Sequence, residues 1–298
     1  MNVFDKLIGA TVPLVPKPIT RRIAASYIAG ESLDDQVAAI RDINGQGFRV
    51  ASAILGEFVT QKSESEEAVA QYEELLARIA ELGLDSNIHV KPTHLGLQLD
   101  KEFCFQNIRR LLVAAGEQNN FVRIDMEDSP TTDDTLEIFF RLHEEFDNVG
   151  CVMQASLRRT LGDVRRLVEA KASVRLCKGI YIEPREVAWL DREVVRRNYV
   201  HLLEELLAGG CYVGIATHDE PLVWEAFRII DELGLDSSRY EFQMLHGVDP
   251  ELRRIIQARG HHLRVAIPYG PMWYPYSVRR LRKNPRIARY VLQALLRG

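Results

Sequence analysis

A chain of 298 residues, 46% hydrophobic and 27% charged, has the make-up of a globular protein with a sizeable core. Its formal net charge of −4 excludes the dense basic surface of a dedicated nucleic-acid binder. The apolar stretch LIGATVPLVP (7–16) is too short to span a bilayer and is broken by prolines, so neither a signal peptide nor a membrane span is expected, and the chain reads as cytoplasmic with peripheral membrane contact left open.

Residues 1–45 read as helices packed ahead of the first strand; they include ESLDDQVAAIRDINGQG. Short β-rich runs then alternate with amphipathic stretches. The runs are FRVASAIL (48–55), NIHV (87–90), FVRID (121–125), VGCVMQ (149–154), SVRLC (173–177), CYVGIAT (211–217), YEFQML (240–245) and HLRVAI (262–267). Between the first two lies SESEEAVAQYEELLARIAELG, with Ser63 and Glu66 spaced as a capping box and Gly83 as a stop. Thr131 opens TTDDTLEIFFRLHEEF in the same way, VAWLDREVVRRNYVHLLEELLAGG ends on two glycines, and EPLVWEAFRIIDELG ends on Gly234. Each has apolar residues at i, i+3, i+4 spacing.

Strands alternating with helices predict a parallel sheet, because a parallel pair needs a crossover. Eight such units close into a (β/α)8 barrel. The expected layout is an α/β protein with a single catalytic domain over 1–298: a helical segment (1–45), the barrel (46–298) and a C-terminal helix over the site. An open doubly wound sheet is the second reading, but no GxGxxG turn follows the first strand. Cys104, Cys151, Cys177 and Cys211 show no CxxC spacing and read as reduced core cysteines.

In such a barrel the active site lies at the C-terminal ends of the strands. The polar residues there are Glu57, Lys91, Asp125 with Glu127 and Asp128, Gln154, Arg175 with Lys178, Thr217 with His218 and Asp219, Gln243 with His246, and Tyr269. Any one of them alone is a rim charge; a full ring is a catalytic or binding mouth. Lys91, Arg175 and Lys178 would receive an anion or support an anionic cofactor ring, and Lys91 or Lys178 could instead be a Schiff-base lysine, as in barrel aldolases. His218 in THDE has no neighbour at metal-ligand spacing, and no pair of histidines complements DMEDS, so no metal site is expected.

Near the end of the chain stands WYPYSVRRL (273–281). In a helix starting near Pro275, Arg279 and Arg280 lie at i+3 and i+4 from Tyr276, along its face. An aromatic wall beside two guanidinium groups suits a small carboxylic acid held against a ring, since guanidinium binds carboxylate bidentately. The run that follows, Arg282, Lys283, Arg286 and Arg289, reads as a solvated basic face.

Eight segments together resemble the proline dehydrogenase family in its short monofunctional bacterial form: ILGEFV (54–59), VKPTHLGL (90–97), VRIDMEDS (122–129), VMQASLRRT (152–160), VRLCKGIY (174–181), ATHDE (216–220), EFQMLHGV (241–248) and YPYSVRRL (274–281). They occur in order at the predicted strand ends, and the resemblance runs from about residue 20 to the C-terminus. It implies an FAD enzyme on a (β/α)8 barrel that oxidises L-proline to Δ1-pyrroline-5-carboxylate by passing a hydride from the ring carbon next to nitrogen to flavin N5. Carried onto this sequence, Asp125 and Arg175 are the catalytic candidates, with Arg175 beside N5. Lys91, Tyr276, Arg279 and Arg280 would bind the substrate. Met126, Gln154, Lys178, Gly179, Ile180, Thr217, His218 and Gln243 would contact the cofactor, and Glu57 would support the first arginine. A quinone is implied as electron acceptor and a separate pyrroline-5-carboxylate dehydrogenase as a partner.

Three departures from the family pattern stand out. LRVAIP places Ala266 where a tyrosine bordering the substrate ring is expected. Alanine leaves room for a larger or hydroxylated ring, so a hydroxyproline dehydrogenase of the same fold is the alternative. Lys283 replaces a glutamate that would pair with the second arginine, and a lysine there repels it instead. VKPTHLG carries Pro92 and His94 at less usual places.

Overall fold

A computed structural model describes residues 27–274 and 276–277. The expected N-terminal helices before residue 27, together with Arg279, Arg280 and Lys283, lie outside the described residues. Within them, α1 (Leu33–Gly45) precedes eight strands, the first seven each followed by a helix. The strands are β1 (Arg49–Ile54), β2 (Ser86–Val90), β3 (Val122–Ile124), β4 (Val149–Gln154), β5 (Ser173–Cys177), β6 (Tyr212–Ala216), β7 (Tyr240–Leu245) and β8 (Leu263–Tyr269). The helices that follow the first seven are α2 (Lys62–Glu81), α3 (Lys101–Glu117), α4 (Thr132–His143), α5 (Thr160–Glu169), α6 (Arg192–Ala208), α7 (Glu220–Glu232) and α8 (Pro250–Ala258). Every strand is parallel to its neighbours, and β8 returns to pair with β1 from Arg49↔Arg264 to Ile54↔Tyr269, which closes the barrel. All eight strands read from the sequence are found. Among the described residues no helix is long and apolar enough to cross a membrane.

Period-2 alternation divides each strand between the helical layer and the interior. On β8, Leu263, Val265, Ile267 and Tyr269 are buried in the core between barrel and helices, so Arg264, Ala266 and Pro268 face inward. This corrects the placing of Tyr269 in the mouth: it is 5% exposed and belongs to the core. Two inward glycines make room for long neighbours. A Cβ on Gly150 would come 2.3 Å from Arg123 Nη1, and one on Gly214 would come 2.6 Å from Gln243 Nε2.

Below these residues, at the N-terminal end of the barrel, Glu241 accepts hydrogen bonds from Arg264 Nε (2.7 Å) and Arg49 Nη1 (3.4 Å). Arg123 donates to the carbonyls of Ser173 (2.7 Å) and Cys151 (3.1 Å). Arg123, Ser173, Glu241 and Arg264 border a cavity of about 790 Å³ that also touches Tyr212 and Asn120. It lies at the end opposite the one where barrel enzymes place their chemistry.

α1 packs across the β1/β8 seam. Ile40 and Ile43 are fully buried, and Gln36 Nε2 donates to Ser52 Oγ at 2.7 Å and to the Ile267 carbonyl at 3.3 Å. The expected caps shift. α2 starts at Lys62, and Glu64 rather than Glu66 accepts the amides of Thr60 (2.8 Å) and Gln61 (3.0 Å). Thr131 does not cap α4; its hydroxyl donates to the Asp128 carbonyl at 2.8 Å. α6 is capped by Asp191 and starts later than its sequence stretch. The turn after β8 is already helical at 273–274, ahead of Pro275, and the Tyr276 amide donates to the Met272 carbonyl at 3.3 Å.

One side chain joins the first two strands just below the mouth. Tyr72 on α2 accepts the Ile54 amide at 3.0 Å and donates to the His89 carbonyl at 3.0 Å, from a position 1% exposed. Tyr72→Phe would keep the ring and leave two buried backbone groups unpaired. Denaturant unfolding is expected to show a loss of about 1–3 kcal/mol, and a loss no larger than that of an exposed Tyr→Phe change would mean that these bonds contribute nothing net.

Candidate active site at the barrel mouth

Strands β2, β3 and β5 bring a carboxylate, a guanidinium and an imidazole together. Asp125, one residue past β3, is bonded through Oδ1 to Arg175 Nη1 at 2.8 Å and lies with Oδ2 3.0 Å from His89 Nδ1. All three side chains are at least four-fifths buried. Burial alone would raise the Asp125 carboxyl, but His89 and Arg175 hold it well below the usual carboxylate range. Burial outweighs Asp125 at His89 and lowers its pKa.

Lys91, at the end of β2, donates to Glu57 Oε2 at 2.6 Å. Burial opposes its charge, but Tyr181, Glu57 and Glu127 raise its pKa above the ordinary lysine value, so it stands as an ammonium. Glu127 is fully buried and accepts the Thr93 amide and hydroxyl, both at 2.8 Å. Its burial raises its pKa against those bonds. The Glu127 carbonyl accepts Gln154 Nε2 at 2.8 Å. His94, behind this group, touches Gly56, and burial lowers its pKa to about 4.

On the far side, Lys178 donates to Asp219 Oδ2 at 2.6 Å, and Arg196 of α6 grips both oxygens of the same carboxylate at 2.9 Å. Asp219 stays below its usual pKa despite burial because these cations surround it. Thr217 Oγ1 accepts the Asp219 amide at 3.1 Å, and His218 Nε2 accepts the Leu245 amide at 2.8 Å.

The loop from β5 to α6 is strapped over the mouth. Glu183 accepts the Ser129 amide (2.7 Å) and hydroxyl (2.6 Å), the Trp189 amide donates to the Ser156 carbonyl (2.7 Å), and Arg158 lies 3.8 Å over the Trp189 ring. This strap sets Gly179, Ile180 and Tyr181 at the rim. Gly179 has φ +98°, and a Cβ there would come 2.2 Å from Ser156 Oγ and 3.2 Å from Gln154 Oε1.

The polar residues read at the strand ends are placed as follows. Asp125, Arg175, Lys91 and Glu57 converge, while Gln154, Gly179, Thr217, His218 and Lys178 line the adjoining arc. Met126 is buried in the core. Gln243 is turned toward the N-terminal end, where Nε2 donates to Glu241 at 2.7 Å. Asp128 faces its own loop, accepting from Thr131. Tyr276 follows the first helical turn after β8. Four groups were not singled out from the sequence: His89, Tyr181, Thr93 and Arg196. Inward parity on β2, two residues before Lys91, was the one available signal for His89.

These residues fit a flavin on two counts. Arg175 Nε is buried with no partner. Ile180, 69% exposed, offers apolar surface to a ring face.

A family model described as Proline dehydrogenase matches residues 36–291. Proline dehydrogenase 1 of Bacillus subtilis subsp. natto is 32% identical over 278 residues, covering 93% of this chain and 92% of that one. Proline dehydrogenase of Deinococcus radiodurans is 34% identical over 281 residues, covering 93% and 91%. Among solved structures, proline utilization A from Bdellovibrio bacteriovorus, inactivated by N-propargylglycine, superposes with a TM-score of 0.83 at 24% identity. The match covers 88% of this chain and 32% of that longer one, and it shows the shared barrel.

The Asp125 carboxylate has a depressed pKa in the folded state, so its stabilisation is complete above the unfolded value and is lost as pH falls through the folded one. Asp125→Asn is expected to cost about 3 kcal/mol at neutral pH. The gap to the parent protein, followed by urea unfolding, should narrow once the pH drops below about 4. A gap independent of pH would mean that the carboxylate is not held ionised.

Proposed function

The chain belongs to the proline dehydrogenase family and oxidises L-proline to Δ1-pyrroline-5-carboxylate, and on that premise we propose how its mouth performs the reaction. The observation that carries the proposal is that, among the described residues, the mouth cations are held by acids: Lys91 by Glu57, Arg175 by Asp125, and Lys178 together with Arg196 by Asp219. Such pairs orient the cations but also neutralise them, so a substrate carboxylate needs further positive charge. Arg279 and Arg280, spaced i+3 and i+4 from Tyr276, would supply it. Lys91 would help to hold the carboxylate, and Tyr276 would pack against the ring.

Proline dehydrogenases are flavin enzymes, and FAD is the proposed cofactor here. When bound, FAD would take up the hydride that leaves the ring carbon next to nitrogen, as the N–H proton is released and the C=N bond forms. Arg175 would help to hold the flavin and favour its reduced, anionic form, with Asp125 fixing its guanidinium. Gly179, Ile180, Gln154, Thr217, His218 and Lys178 would hold the rest, with Met126 contributing backbone and Gln243 only its amide oxygen. A quinone acceptor reached from a membrane surface is supported by the apolar rim, where Ile182 and Leu190 are exposed beside Ile180. Product would pass to a separate pyrroline-5-carboxylate dehydrogenase.

A Schiff-base lysine is disfavoured. Lys91 is held charged, which removes the amine lone pair, and the Lys178 ammonium is bonded to Asp219 at 2.6 Å. One observation favours a broader substrate range: Ala266 faces the interior between Ala51 and Leu245, where its methyl leaves room beside the ring.

Anaerobic mixing with L-proline is expected to bleach the bound flavin, with trans-4-hydroxy-L-proline bleaching it more slowly. Faster bleaching by the hydroxylated ring would overturn the substrate order. Lys91→Met, Arg279→Lys and Arg280→Lys should each raise KM for proline about tenfold or more, with smaller effects on kcat. Unchanged saturation in all of them would mean that there is no carboxylate clamp. Ala266→Tyr should depress turnover of hydroxyproline more than that of proline.

A further inference from the structure

We propose that His89 is a positioning residue for the reaction, acting through Asp125 on Arg175. This rests on the assignment of Asp125 and Arg175 to the reacting end of the mouth.

The geometry divides one carboxylate between two donors on different strands. Oδ1 takes Arg175 from β5 at 2.8 Å, and Oδ2 faces His89 Nδ1 on β2 at 3.0 Å. The groups that face His89 are Asp125, Arg175 and Lys91. Beside two cations and out of water, the imidazole is neutral, and a carboxylate that only accepts requires the proton on Nδ1. Nε2 is then a bare acceptor, and it is buried with no hydrogen-bond partner.

A buried ring nitrogen without a partner carries a desolvation cost, which an alanine or valine at this inward site would avoid. The bond to Asp125 is what the imidazole provides in return. Without it, Oδ2 would lose its donor and the carboxylate could rotate. Both oxygens could then close on Arg175 as a bidentate pair, turning the guanidinium and concentrating negative charge on it. His89 therefore sets both the angle of Arg175 and the share of its charge that is felt above it. The carboxylate end of the substrate, at Lys91 and Glu57, is left untouched.

The test compares His89→Leu, His89→Asn, Asp125→Asn and the double variant as FAD-loaded enzymes. The readouts are kcat, KM for L-proline, affinity for cyclopentanecarboxylate (a ring acid with no nitrogen to oxidise), the flavin midpoint potential and thermal unfolding. His89→Leu is expected to lower kcat roughly tenfold or more. KM and cyclopentanecarboxylate affinity should stay within about twofold, and the potential should shift negative. His89→Asn, whose amide N–H can stand near the Nδ1 position, should recover most of the loss and decides the matter if the leucine variant does not fold. In the Asp125→Asn background, His89→Leu should have no further effect on kcat or potential.

Equal losses with and without the Asp125 carboxylate would overturn the proposal, because the histidine would then be acting by packing alone. So would unchanged kcat and potential in His89→Leu, or no recovery in His89→Asn. If Asp125→Asn itself keeps full turnover, the site reading fails first and this proposal fails with it; normal His89→Leu turnover beside a crippled Asp125→Asn sinks only the histidine.

Discussion

Among the described residues, the cations facing the barrel interior, Arg123 excepted, are matched to carboxylates that keep them from being buried alone. Glu241 serves Arg264 and Arg49 at the N-terminal end, Asp125 serves Arg175 in the middle, and Glu57 and Asp219 serve Lys91 and Lys178 at the mouth. Removing one partner of such a pair leaves an uncompensated charge in a low-dielectric interior, which costs far more than the pair itself contributes. Much of the interior follows from this matching. Gly150 and Gly214 lack side chains because Arg123 and Gln243 need the space. Arg123, the cation without an ion-pair partner within bonding distance, is held by two carbonyls and the Ser173 hydroxyl instead, and its burial pulls its pKa down to about 10.

The pairing also separates the two ends of the barrel. At the N-terminal end the arginines are bonded to fixed acceptors of the wall, so the cavity there is bordered by groups already committed to one another. At the mouth the cations stand at the top of their strands, next to loops rather than wall. The strap from Glu183 to Ser129 fixes one of those loops and brings Tyr181 toward Lys91. A group at the N-terminal end can thus be exchanged only at the expense of the fold, whereas a group at the mouth can be rearranged around a substrate.

Fold class was legible in the sequence because strand runs and helical stretches differ in period, and eight alternations leave few ways to close a sheet. β4, β5 and β7 keep the boundaries of their apolar runs, since each run stops where the backbone leaves the ladder. Parity was harder to read at the ends. Tyr269 looked like a mouth residue because it is polar and terminal, yet counting inward from Arg264 and Ala266 assigns it to the outer face. Caps were misplaced for a related reason: Ser63 is the better capping type, but the strand-to-helix connection starts α2 earlier and gives the amides to Glu64. Partners were not legible at all. His89 and Asp125 are 36 residues apart, and Lys178 and Asp219 are 41 apart. Periodicity tells which face a side chain shares and says nothing about the strand across from it. Hence Lys91, Asp125 and Arg175 read as chemistry-bearing in the sequence, while His89, Thr93 and Arg196, whose side-chain partners lie on other elements, did not.

Lys283 bears on the same accounting. A clamp of two adjacent guanidiniums ordinarily needs an acid close by in the helix, both to orient them and to limit their repulsion. With a lysine at that place, the proposed clamp would take its acid from the barrel. Glu57 is the acid at the end of β1, and it already holds Lys91 at 2.6 Å through one oxygen. Sharing it with Arg279 would tie the substrate lysine and the clamp to a single carboxylate and leave the mouth with a larger positive excess. Such an excess favours entry of a carboxylate and weakens the orientation of the fork that receives it. The ring would then be located less by the arginines than by its walls. Ala266 faces the barrel interior, so in the proposed site Lys283 and Ala266 would act in the same direction, toward tighter capture of an anion and looser discrimination among the rings that carry it.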